Sequence, residues 1–280
     1  RGNRILNPAR LPIPPRAHHD RRRLATGDGI LLRSKPLGQR RIVLGQALGG
    51  LFFTVECLHR CEMERVVFKT NSFEKADNWD VKQHNSLSFE ERQSIARALK
   101  DRLHPKAKDV ESVIDPDKNI YFSPDIAEFL KCLHQFDVQY LIVGGEAVIF
   151  YGHARYTGDV DFFYADDDNN ASALFQALSA FWDGDIPEIS QPGDLQAEDQ
   201  IIQFGRPPHR IDLLNRIDGV SFEEAWPSRV GVQLDLAGSS IPVHYLSLKS
   251  LIQNKEATGR PKDLDDLNYL KSLDSGSADH

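Results

Sequence analysis

From residue 63 onward the apolar and polar positions fall into the two periods of regular structure. Val66, Val67 and Phe68 form a short run that predicts a strand. The stretch SFEKADNWDVKQHNSLSFEERQSIARALKDRLHP then predicts two helices with a turn near Asn85. Ser88 followed by Glu91 is a capping box, Ile95, Ala98 and Leu99 supply an apolar stripe, and Pro105 stops the second helix. A charged, turn-forming stretch, KAKDVESVIDPDKN, reads as a linker. So short a segment cannot bury enough surface alone, and its natural partner is the domain that follows.

That domain opens at Ser123, an N-cap with Pro124 in the first helical position, and DIAEFLKCLHQFD follows at helical spacing. The run VQYLIV predicts a strand ending at Gly144-Gly145, EAVIFYGH a short helix, and DVDFFYA a second strand. Asp167 or Asp168 can cap a helix with Ala173, Leu174, Leu178 and Phe181 on its core face. Beyond a turn-rich segment near 183–199, strands are expected at 201–204 and in RIDLLN, then a short helix and a hairpin near 229–236 and 241–245. The chain closes with LSLKSLIQNKEATGRPKDLDDLNYL, two helices broken at Gly259-Arg260-Pro261.

Residues 1–41, rich in Arg, Pro and Gly, show neither period and are expected to form a disordered or loosely attached tail. Met63 is the sole methionine, and MERVVFKTNSF reads as the start of an open reading frame. Residues 1–62 are therefore expected to be upstream sequence or a low-order extension without a part in the chemistry.

Charge separates the two parts further. Residues 1–62 carry about twelve Arg and Lys against about four Asp and Glu, which leaves roughly −15 for the remainder within a net charge of −7. The basic tail, with Arg21, Arg22 and Arg23, could attract nucleic acid, but no aromatic residues interleave to stack bases. Cys57, Cys61 and Cys132 do not make a disulfide framework, and Cys57-Leu58-His59-Arg60-Cys61 lacks a second pair of metal ligands. The most apolar window, 42–55, is broken by glycines and too short for a membrane helix. A cytoplasmic protein without a membrane partner is expected.

The candidate chemistry lies in YLIVGGEAVIFYGHARYTGDVDFFY, residues 140–164. On a strand, Asp159 and Asp161 project from one face with origins about 7 Å apart, and two such carboxylates call for a cation. Glycine at 144 and 145 lets backbone approach a phosphate closely at a helix start. Asp212, in the later apolar strand, is a third carboxylate, on the opposite face from Ile211 and Leu213.

Glycine pair, short helix, Asp-x-Asp and a later strand acid together resemble the core of the DNA polymerase β-like nucleotidyltransferase superfamily. The closing Lys255 and Gly259-Arg260-Pro261-Lys262-Asp263 resemble small bacterial nucleotidyltransferase-like proteins related to abortive-infection and toxin–antitoxin nucleotidyltransferases. The resemblance covers roughly residues 120–272. It implies an α/β (α+β) nucleotidyltransferase fold, with a small mixed sheet flanked by helices. It also implies two magnesium ions on Asp159, Asp161 and Asp212, and an NTP whose phosphates are held at Gly144 and Gly145. Arg155, Thr157, Lys255 and Arg260 complete the expected nucleotide contacts.

Blander readings stand beside these. Lys255 can be a surface lysine, Arg260 and Lys262 can pin the last helix to Asp263 or Asp266, and His153 and His209 can be solvated loop histidines. The domain expectation is an extension at 1–62, a small helical segment and linker at 63–117, and a nucleotidyltransferase domain at 118–274. The expected reaction moves an NMP from an NTP to a hydroxyl of tRNA or protein, in a toxin–antitoxin or phage-defence setting. Residues 63–115 resemble small helical proteins encoded beside such enzymes, which implies a fused antitoxin or regulator. Two rival classes are a catalytically silent nucleotide-binding or interaction module and an aminoglycoside-type transferase. The latter needs a further acidic pocket, which Asp166, Asp167 and Asp168 could supply.

Overall fold

In the computed structural model the described residues are 24–26, 29–31, 63–93, 122–153, 155, 157–236 and 239–276. Within the basic extension they form a short antiparallel hairpin, β1 (Leu24–Thr26) and β2 (Gly29–Leu31). The Arg21–Arg23 cluster and the Cys57–Cys61 pair lie outside the described residues, as does most of the second predicted helix with its stripe at 95–99. The start of that helix is described, and Ser88 and Glu91 exchange the two hydrogen bonds of the capping box, at 2.6 and 3.1 Å.

The segment after Met63 joins the domain by β-pairing as well as by packing. Strand β3 (Val67–Thr70) leads into α1 (Phe73–Ser86), whose N-cap Ser72 accepts from the Lys75 amide. Then follow α2 (Pro124–Gln135), capped by Ser123, β4 (Tyr140–Val143), α3 (Gly144–Phe150) and β5 (Asp159–Tyr164). Next come α4 (Asp168–Phe181), β6 (Ile201–Phe204), β7 (Arg210–Leu214) and the short α5 (Phe222–Ala225). The hairpin β8 (Val230–Leu236) and β9 (Ser239–Tyr245) precedes α6 (Leu248–Thr258) and α7 (Pro261–Gly276).

Among the described residues seven strands form one mixed sheet in the order β3-β6-β7-β5-β4-β9-β8. β5 runs parallel to β7 and β4 parallel to β9, while the other neighbours are antiparallel. Period-2 alternation gives each strand two faces with different tasks. One carries Tyr140, Phe162 and Tyr164 beneath α2 and α4, where Phe129 meets both Phe162 and Phe181 edge-on at ring distances of 5.2 and 5.3 Å. The other is apolar at Phe163, which packs on Phe222, and turns polar toward Asp159. Cys132 is a buried core residue on α2.

Turn chemistry fixes the ends. Asp167, rather than Asp168, caps α4 by accepting from the Asn169 and Asn170 amides. Gly259 closes α6 in the left-handed conformation at φ 60°, so that Pro261 can start α7. Among the described residues no helix is long and apolar enough to cross a membrane.

Candidate active site

The site follows from strand register. In the parallel pair β5–β7, Asp159 stands opposite Arg210 and Asp161 opposite Asp212, while on β6 Gln203 stands opposite Asp212. Alternation puts all five side chains on one face. One oxygen from each of Asp159, Asp161 and Asp212 lies within 4.8 Å of the others, an all-oxygen set suited to a hard divalent cation.

The glycine turn is built around one of these acids. Gly144 has φ +62°, and a Cβ there would come within 1.9 Å of Asp161 Oδ2. Only a residue without a side chain lets backbone and carboxylate approach so closely. A Cβ on Gly145 would meet Thr157 Oγ1 at 2.7 Å. Thr157 in turn donates to Asp159 Oδ1 at 2.7 Å, so its hydroxyl holds a carboxylate. Of the residues expected on the nucleotide, Gly144 and Thr157 lie against the acids, and Gly145 lies against Thr157.

Arg210, absent from the expected site, is its central cation. Its side chain is 2% exposed and donates to Asp212 Oδ1 at 2.7 Å, to Asp212 Oδ2 at 3.0 Å, to Asp159, and to Asp80 of α1 at 2.5 Å. Gln203 Nε2 donates to Asp212 Oδ2 at 2.8 Å. A sequence signal existed, because Arg210 precedes Asp212 by two and so shares its face.

The three acids differ electrostatically. Burial opposes ionisation of Asp159, but Arg210, Thr157, Lys262 and Arg155 hold its carboxyl below the ordinary range. Burial, then Asp159 and Asp212, push Asp161 well above it. Burial also pushes Asp212 up, to about 6, with Arg210 opposing and Asp159 adding. Two of three carboxyls thus ionise reluctantly in the absence of a further cation, which is the electrostatic mark of a cation site.

The remaining expected residues form a second cluster beside the first. Lys255 is no surface lysine: it is 3% exposed and donates to Asp263 at 2.5 Å, with Asp266 at 3.0 Å. Asp263 also accepts from Arg260 at 3.1 Å, and Asp266 from Arg155. Lys262 is paired with Asp77 of α1 at 3.8 Å, not with the last-helix acids. Arg260 also reaches Asp77, at 3.4 Å. His153 stacks on Tyr269 and contacts Asp265 at 3.2 Å, and His209 is exposed. Asp166, Asp167 and Asp168 are exposed and line no part of the pocket that opens onto Asp159, Asp161 and Asp212, so they do not form the acidic pocket that an aminoglycoside-type enzyme would need. Beyond the triad the pocket acids are Asp77 and Asp80, which face cations, and Asp218.

Residues 125–275 match a family model described as "Nucleotidyltransferase of unknown function (DUF6036)". No curated protein matches the chain. The matched span contains the glycine turn, the three carboxylates, Arg210 and the Lys255 cluster, and it leaves out β3 and α1. With more than half its length matched, the chain belongs to this nucleotidyltransferase family.

Proposed function

We propose that the chain is a magnesium-dependent nucleotidyltransferase of the DNA polymerase β-like type, transferring an NMP from an NTP to a hydroxyl of tRNA or protein. The observation that carries this is the convergence of Asp159, Asp161 and Asp212 from two adjacent parallel strands, beside a glycine turn shaped around Asp161. In the reaction the acceptor oxygen bonds to the α-phosphorus as the bond to the bridging oxygen of pyrophosphate breaks, and the hydroxyl proton is lost. Magnesium, when bound, supplies charge neutralisation and a more acidic acceptor hydroxyl.

The protein's part is placement. Asp159 and Asp161 would hold both ions and Asp212 the ion on the acceptor side. Thr157 fixes the orientation of Asp159, while Gln203 and Arg210 fix Asp212. Arg155, Lys262 and Arg260 surround the acids with positive charge that suits a triphosphate. The proposed setting, a toxin–antitoxin or phage-defence component, rests on the resemblance of residues 120–272.

The test is incubation with each labelled NTP, magnesium, and total tRNA or lysate, comparing the parent with Asp159→Ala/Asp161→Ala. Transfer by the parent and loss in the double variant is expected. Transfer that persists without both carboxylates would move the chemistry elsewhere. Absence of both transfer and magnesium-dependent NTP binding would favour the silent interaction module.

A further inference from the structure

Helix α1 lies outside the family match, yet it lies on the face of the sheet that carries the site. Its Trp79 stacks on Phe68 of β3, with rings 5.0 Å apart and 11° from parallel, on the same face as Gln203 and Asp212. Phe73, Ala76, Asp77 and Asp80, spaced at helical intervals, line the pocket.

The composition of α1 is unusual for a helix held by packing. Of its fourteen residues only Ala76 and Gln83 are buried. Beside the packing of Phe73, Ala76 and Trp79, its grip on the domain is polar: Asp80 accepts from Arg210 at 2.5 Å, Asp77 from Arg260 at 3.4 Å, and Gln83 donates to the Gly205 carbonyl at 3.3 Å. Asp77 also faces Lys262 at 3.8 Å. Two carboxylates on one helix thus engage three cations beside the triad.

Space agrees with charge. The pocket holds about 100 Å³ with α1 in place, against roughly 300–1,000 Å³ for ligand sites in general. A nucleoside triphosphate needs both the room and the cations that α1 takes.

We propose that α1 is an intramolecular cover, in which the carboxylates of Asp77 and Asp80 stand in for nucleotide phosphates on Lys262, Arg260 and Arg210 and must be displaced before a nucleotide binds. This rests on the nucleotidyltransferase reading of the site. Displacement of α1 leaves β3 in place, because β3 is hydrogen-bonded to β6 along its whole length. Removal of the entire segment would strip the sheet edge as well, so point substitutions on α1 are the cleaner probe.

The experiment uses the full chain and two independent readouts. Binding of Mn²⁺ to the parent and to Asp159→Ala/Asp161→Ala tests the acid site itself. Binding of fluorescent ATP, GTP, CTP and UTP analogues with magnesium is then compared among the parent, Asp77→Asn, Asp77→Asn/Asp80→Asn, and Glu74→Gln. Glu74→Gln controls for loss of an exposed α1 acid away from the pocket.

The expected result is about tenfold tighter nucleotide binding in the double variant, a smaller gain in Asp77→Asn, and none in Glu74→Gln. In the parent, saturating nucleotide should speed amide exchange across residues 73–86. Asp77→Asn touches only rim contacts, with the Asp77 side chain 46% exposed, so it keeps the test available if the double variant folds poorly. Unchanged or weaker binding in Asp77→Asn and the double variant would overturn the cover, weaker binding making these acids part of the ligand site. Mn²⁺ binding with no response to α1 substitution refutes the cover alone. Absence of Mn²⁺ and nucleotide binding in every protein refutes the site reading, and the cover with it.

Discussion

Two clusters of carboxylates, one buried and one partly buried, stand side by side in this molecule, and they are compensated in opposite ways. Asp263 and Asp266 face three cations, Lys255, Arg260 and Arg155. In the triad the direct ion pairs are those of Asp159 and Asp212 with the one guanidinium of Arg210, which α1 also draws upon through Asp80, while Lys262 and Arg155 act on Asp159 from further off. In the first cluster burial opposes ionisation of Asp263, yet Lys255 and Arg260 hold its carboxyl below the ordinary value. In the second, burial and like charge push Asp161 far above it. Saturated charge makes a cluster that ties α6 to α7, whereas a deficit of positive charge makes one that recruits a cation.

The largest expected effect comes from unbalancing the saturated cluster. Lys255→Met leaves Asp263 and Asp266 buried with fewer partners and should cost about 3–5 kcal/mol, read as a lowered denaturation midpoint. Weakened nucleotide binding with an unchanged midpoint would instead make Lys255 a phosphate ligand and erase the contrast.

Next is the geometry of the deficient cluster. Gly144→Ala must shift Asp161, since the new methyl would sit on its carboxylate. Mn²⁺ affinity and transfer should fall about 10–100-fold, as expected when a ligand's support is disturbed. Retained affinity would mean that Asp161 can move without consequence.

A smaller effect of opposite sign is expected from Asp161→Asn. Removing one member of a like-charged group should abolish transfer but raise the melting temperature at neutral pH without divalent metal, by a few degrees for about 1 kcal/mol. The matching change Asp263→Asn should lower it, and equal shifts in both variants would contradict the division into two clusters.

The smallest concerns pH. Because the folded value of Asp263 lies below 3.8, its stabilisation is present above that ordinary value and is lost as pH falls through the folded value. Unfolding midpoints between about pH 5 and pH 2 should therefore drop more steeply in the parent than in Asp263→Asn. Parallel curves would show that Asp263 gains little from its partners.

The strands and helices of 122–276 were legible because their periods are local: β6 spans 201–204 as expected, Gly259 breaks α6 from α7, and Ser123 and Asp167 cap their helices. Asp159 and Asp161 on one face were equally legible, since alternation alone dictates it. Arg210 was readable by the same rule but was masked by its apolar surroundings in RIDLLN. Lys255, weighed between surface and phosphate, was not legible at all. Burial beside Asp263, eight positions away across a helix break, depends on how α6 and α7 pack.

By itself, then, the sequence determined the elements, the faces of the strands, and the three acids that could share a cation. Tertiary structure decided the pairing. It set β7 parallel to β5 so that Asp212 meets Asp161, gave the triad one directly paired cation and its neighbour three, and laid α1 over the site with Asp77 and Asp80 on the cations. Local periodicity reports which way a side chain points, whereas charge compensation depends on which distant residues arrive beside it, and only the packed sheet fixes that.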